Sequence, residues 1–176
     1  GEPFGWRRGK GDWTGVASAI ARSHPVEVIQ TCGSTLWRDR LPEVHPFVWD
    51  CSQQNETAIA RVWISERETE SSDLPPVSWH PRSLWVGIGC ERGVSVETLE
   101  QGIRAGLQTQ HLAWEAIAGL ASVELKRDET ALLELAKRHE WPLRFYEAET
   151  LAGQTVPNPS EVVDREVGTP SVAEAA

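Results

Sequence analysis

Apolar residues in the second half of the chain recur at strand and helix spacings in turn. Ser83–Ile88 (Ser-Leu-Trp-Val-Gly-Ile) is a short apolar run with strand character, followed by a tight glycine-bearing loop at 89–93. Val96, Leu99, Ile103 and Leu107 then stand three, four and four residues apart, on one face of a helix. Ser95 occupies the cap position, and the helix is expected to reach about Thr109. Trp114–Ala118 reads as a short helix and Gly119–Leu125 as a strand. Asp128 is the expected cap of a further helix to Arg138, with Leu132, Leu135 and Ala136 turned inward. Leu143–Tyr146 is another strand. Thr169-Pro170 fits the cap and first turn of a last helix; Ser171 and Glu174 have capping-box spacing, so two starts are open. Strand, helix, strand, helix, strand is the order of a largely parallel sheet covered by helices.

The first half is patterned differently. Asp12 can cap a helix to Arg22 whose Val16, Ala19 and Ile20 share one face. Val26–Gln30 alternates as a strand does, and Ala58–Ser65 reads as a second, more buried strand. These elements make a small α/β unit over residues 1–67, and about 65 residues bury only a modest core. Glu66–Pro81 turns polar and then Pro-rich, so residues 68–81 are expected to be a linker and 82–176 a second domain.

Composition narrows the classes. A formal charge of −9 argues against a broad nucleic-acid surface. Any anion site must therefore be built locally from a few basic groups and backbone N–H groups. No apolar run is long enough to span a bilayer and no leader pattern opens the chain, so a cytoplasmic protein is expected. The three cysteines have no C-x-x-C spacing and the five histidines no ligand spacing, so no protein-bound metal is expected. Met is absent and the chain stops in a helix-favouring run, Ala173–Ala176, which leads to the expectation of a piece of a longer protein.

Candidate chemistry gathers around two loops. In Gly87–Gly93, the glycines Gly89 and Gly93 let backbone N–H groups approach a ligand, and the following helix N-terminus favours an anion. Arg92 can add a bidentate contact. The spacing is G-x-G-x-x-x-G with no G-K-[ST] after it, so neither common nucleotide fingerprint is present, and a plain βα turn is the competing reading. Lys126-Arg127-Asp128-Glu129 lies where a strand ends before a helix. Ligands of open α/β sheets bind there, although a solvated charge run would look the same. Cys90 is either a nucleophile beside a helix N-terminus or a buried structural thiol, with the second favoured because no histidine is placed to partner it. Asn158 and Ser160, then Thr169 and Ser171, stand in rigid turn-rich stretches that can line a site or merely connect. The tryptophans read as core and interface fillers.

Taken in order, several stretches resemble the CbiG/CobE family of cobalamin-pathway proteins. They are Val86–Gly93, Leu120–Glu129, Leu132–Ala136, Leu143–Tyr146, Pro157–Val163 and Gly168–Ala176. Residues 1–80 are similar, more loosely, to the middle region of CbiG, through Trp13-x-x-Val16, Val26–Gln30 and Ala60–Ile64. CobE-like proteins lack such a region, which favours CbiG. The resemblance implies an α/β/α three-layer C-terminal domain with a largely parallel or mixed sheet. It also implies an N-terminal domain of the same protein as a partner, and in some bacteria a fused precorrin methyltransferase. The implied activity is hydrolysis of cobalt-precorrin-5A: a ring-A δ-lactone opens and a two-carbon unit leaves as acetaldehyde. Glu129 would then be the base and Lys126 the oxyanion stabiliser, a Schiff-base role for Lys126 having less support. Gly89, Cys90, Arg92, Gly93, Asn158, Ser160, Thr169 and Ser171 would line the corrinoid substrate. Cobalt would arrive inside that substrate, so no cofactor and no protein metal site are implied. The alternative is a non-catalytic corrinoid-binding accessory module of CobE type. Nucleic acid and membrane are not expected partners, and a homodimer is left open.

Overall fold

The computed structural model describes residues 1–49, 58–69 and 72–154. It divides into two compact units, one of residues 1–83 with 110–116, the other of 84–109 with 117–176.

The first unit carries strands β1 (Arg7–Gly11), β2 (Val26–Gln30), β3 (Phe47–Trp49), β4 (Ala60–Ile64) and β5 (Pro76–His80), with helix α1 (Trp13–Ala21). The sheet order is β1-β5-β4-β2-β3. β2, β3, β4 and β5 run parallel, and β1 is added antiparallel at the β5 edge. Asp12 caps α1 as its position predicts, its carboxylate accepting the Gly15 N–H at 2.8 Å. Val16 and Ala19 of that helix join Val26, Val28, Ala60, Val62, Ile64 and Val77 in the core. Along β4 the buried positions alternate, Ala60, Val62 and Ile64 facing inward, as a pleated strand requires.

Three strands correct the sequence reading, the first being β3, for which no element was expected. Residues 76–80, expected to end a linker, are β5, bonded on both sides to β4 and β1. Pro76 stands first in the strand, where a missing N–H is tolerated, and Val77, Ser78 and His80 behind it are buried. The polar run Arg7–Gly11 was not expected to be a strand. It forms one because two glycines let it close on β5: a Cβ at Gly9 would sit 2.2 Å from His80 Nε2, and at Gly11 2.1 Å from the Pro76 carbonyl.

The second unit alternates as expected: β6 (Leu84–Gly87), α2 (Val96–Thr109), β7 (Ile117–Val123), α3 (Thr130–Arg138), β8 (Leu143–Tyr146), and a short α4 (Ala148–Ala152) that was not foreseen. The three strands are parallel in the order β6-β7-β8. Successive crossovers in one direction put α2 and α3 on one face of the sheet. They are cross-linked there, with Arg138 reaching Glu97 and Glu100 at 3.7 Å. Ser95 caps α2 by accepting the Thr98 N–H at 3.1 Å. β7 starts two residues earlier than the sequence suggests and ends at Val123, because Glu124–Lys126 winds into a 3-10 turn. Among the described residues no helix is long and apolar enough to cross a membrane.

Candidate functional site

The carboxyl ends of the parallel strands β6 and β7 open side by side, which brings the loop after Gly87 against the turn after Val123. Ile88 N–H donates to the Ala121 carbonyl at 2.8 Å, and the buried Ser122 hydroxyl donates to the Ile88 carbonyl at 2.7 Å. The root of the first loop is thus pinned to β7. Gly93 takes φ +75°, with nothing within 4 Å of a Cβ built there, so backbone conformation and not crowding calls for glycine.

Arg92 bridges the two loops. Its Nη1 donates to both carboxylate oxygens of Asp128, at 3.0 and 3.1 Å, and its Nη2 to the Leu125 carbonyl at 2.8 Å. That guanidinium holds the Asp128 carboxyl below the usual carboxylate range. Asp128 is therefore not the helix cap that sequence suggests; α3 begins after Glu129, and the Asp128 side chain faces Arg92 instead. Both terminal nitrogens of Arg92 thus have partners within the chain.

Glu129 is buried, and its two oxygens accept the Gly93 N–H at 3.2 and 3.3 Å. Lys126 is half-buried and has no ion pair among the described residues. It is close enough to Cys90 to act on it electrostatically. Burial pushes the Cys90 thiol up and the Glu129 carboxylate adds to this, while the Lys126 ammonium opposes it. Cys90 is therefore a protonated thiol near neutral pH, which suits the structural reading better than the nucleophile.

One rim thus gathers Gly89, Cys90, Arg92, Gly93, Lys126 and Glu129, as the sequence suggests. Asn158, Ser160, Thr169 and Ser171 lie outside the described residues. Ser122 was missed; its signal is a lone hydroxyl in the apolar run Leu120–Val123. The corresponding rim of the first unit is polar as well and was also missed. Thr31 Oγ1 and Ser65 Oγ lie 2.9 Å apart, and the Cys32 thiol is pushed up to about 12, by burial first and then by the Glu66 carboxylate that takes its hydrogen bond.

Fold and rim together define an α/β protein whose second unit gathers charged side chains at its strand ends. Residues 84–176 match the family model of the cobalamin synthesis G C-terminus (CbiG_C), and residues 1–81 that of the cobalamin biosynthesis central region (CbiG_mid). The chain belongs to the CbiG family of cobalamin biosynthesis. It is 26% identical over 188 residues to a cobalt-precorrin-5A hydrolase of Priestia megaterium, a match covering 100% of this chain and 50% of the relative. Protein CobE of Sinorhizobium sp is 33% identical over 95 residues, covering 53% of this chain and 62% of that protein. The crystal structure of a CobE from the cobalamin (vitamin B12) pathway is 38% identical over 52% of this chain and 66% of its own, with a TM-score of 0.49. The chain thus spans between half and two thirds of the curated relatives it matches.

Proposed function

We propose that this chain is the central and C-terminal part of a cobalt-precorrin-5A hydrolase, and that the β6–β7 rim works on the substrate's ring-A lactone. The observation that carries this reading is the meeting of Lys126 and Glu129 beside the Gly93 loop. The substrate is a large ring edged with carboxylates, and Lys126 is the cation at this rim without an ion pair among the described residues. Water attacks the lactone carbonyl and Glu129 takes its proton. The Lys126 ammonium steadies the oxyanion, the carbonyl–oxygen bond breaks, and the proton passes to the leaving alkoxide. Collapse of that alcohol then breaks the carbon–carbon bond, releases acetaldehyde and leaves a proton on the ring carbon. Cobalt enters with the substrate, and the protein supplies no metal.

A second reading is a non-catalytic corrinoid carrier. It is favoured by the CobE likeness over the second unit and by the engagement of both Glu129 oxygens with Gly93. Turnover decides between them. A chimera in which this chain replaces the matching half of the Priestia megaterium protein is incubated with cobalt-precorrin-5A, and acetaldehyde is measured. Release at a rate lowered about 10²-fold or more by Glu129→Gln, and lowered also by Lys126→Ala, supports the hydrolase. Wild-type rates in both variants overturn the assignment of the rim, and tight binding without acetaldehyde favours the carrier.

A further inference from the structure

Between α1 and the sheet of the first unit lies a cleft of about 370 Å³. Well-packed interiors leave few voids larger than a water molecule, whereas ligand pockets begin near this size, at roughly 300 Å³. Its floor is aliphatic, from β2, β4 and β5, and one wall is α1. Most of the remaining lining is aromatic: Phe4, Trp6, Trp13, Trp37, Phe47 and Trp79. Trp6 belongs to the buried core and the other five rings pack against it, so the cleft runs along the edge of that core.

Three guanidinium groups lie over these rings. Arg8 sits 4.9 Å from the Trp13 ring centre and 5.5 Å from that of Trp79. Arg38 lies 4.5 Å from Trp49, a ring outside the lining, and 6.0 Å from Trp37, and Arg40 is 5.4 Å from Phe4. Stacking on a ring face fixes a guanidinium plane without occupying the fork that binds a carboxylate. Arg8 shares its Nε with the exposed Glu2 at 3.1 Å, and Arg38 donates one terminal nitrogen to Gln30 Oε1 at 3.2 Å. Arg38 Nε is buried and has no hydrogen-bond partner among the described residues.

An apolar aromatic slot with arginines over its rings selects a flat, conjugated ligand that carries carboxylates at its edge. We infer that this cleft of the first unit is a corrinoid-binding site, holding one edge of the ring against the tryptophans while Arg38 and Arg40 take peripheral carboxylates. The inference rests on the reading of the substrate as a corrinoid, and it places ring recognition in a unit to which no chemistry has been assigned.

Equilibrium dialysis of the 176-residue chain against cobyrinic acid, a cobalt corrin with free peripheral carboxylates, tests it. Cobinamide, the same ring with those groups capped as amides, is the comparison. Ala17→Trp, at an exposed position of α1 that lines the cleft, fills the slot and should weaken both ligands at least tenfold. The double variant Arg38→Ala/Arg40→Ala should weaken cobyrinic acid about tenfold or more and cobinamide little. Circular dichroism confirms that each variant is folded. Affinity that survives both cleft variants, or that is absent for the wild-type chain, overturns the inference. Acetaldehyde release by the chimera judges the catalytic reading separately, so either can fail while the other stands.

Discussion

The two units are built from the same kinds of element and solve different problems. The second is a plain β-α-β-α-β run whose three parallel strands lie in chain order. Its strand-end rim is a charged knot, with Arg92 on Asp128 and Glu129 on Gly93. Among the described residues the first has five strands out of chain order and one α-helix, and it keeps an aromatic cleft against its sheet. Its strand-end rim combines neutral hydrogen bonds, Gln30 Nε2 donating to the Cys32 carbonyl at 2.9 Å and Thr31 meeting Ser65, with the Glu66 carboxylate that takes the Cys32 thiol's hydrogen bond. A small unit that leaves space uses its apolar residues as walls; one that closes on itself uses them as filling. The difference suggests a division of labour: shape and ring recognition in the first unit, charge and chemistry in the second.

Core truncations give the largest test of that contrast. Ile64 lines the cleft and Leu132 lies in the closed core of the second unit, and both are almost fully buried, at 2% and 0% exposure. Cutting either to alanine should cost about 2–5 kcal/mol, with the cost set by how well the site can relax around the loss. Leu132→Ala should fall at the upper end, because its side chain is fully buried and does not line the cleft. Ile64→Ala should fall at the lower end, because it widens a space that already exists. Chemical denaturation of the two variants measures both. An equal or larger loss for Ile64→Ala would mean that the first unit is as tightly filled as the second, and the contrast would fail.

Next in size is the buried carboxylate of the second rim. Glu129→Ala leaves the Gly93 N–H without its acceptor, for an expected loss of about 1–3 kcal/mol. Glu129→Gln keeps an acceptor oxygen and should cost less than about 1 kcal/mol. Urea unfolding of the two variants separates the bond from the charge. If both lose the same amount, the charge and not the hydrogen bond holds the loop.

How far the sequence can be read follows the same division. In the second unit each element is announced locally: the 3-4-4 spacing of Val96, Leu99, Ile103 and Leu107 marks α2, Ser95 its cap, and the glycines the loop that meets Lys126. Local signals suffice because successive elements are neighbours in space. β1 and β5 failed for the opposite reason. Arg7–Gly11 and Pro76–His80 are strands because they pair with each other across the unit, and neither carries the alternation that would announce it alone. The site was legible as a set of residues but not as a set of bonds. Asp128 looked like a cap and Arg92 like a ligand-binding arm, and only the fold shows that they satisfy one another. The cleft was not legible at all, since its six rings come from five separate stretches of chain and look, one by one, like core.

The smallest effect concerns that Arg92–Asp128 pair, and it sharpens the electrostatic side of the comparison. Both side chains are exposed, at 60% and 73%, so the pair is expected to add little to stability. Its signature is a titration. Arg92 holds the Asp128 carboxyl below its usual value, so the pairing is complete above the unfolded aspartate value of about 3.9 and fades as pH falls through the lowered folded value. Arg92→Ala should move the Asp128 carboxyl back up toward the ordinary aspartate range, and 1 M salt should move it in the same direction in the wild type. Carbon-detected NMR of the carboxyl signal reads both shifts. A salt-insensitive Asp128, titrating alike with and without Arg92, would show that the charged knot does not hold the two loops.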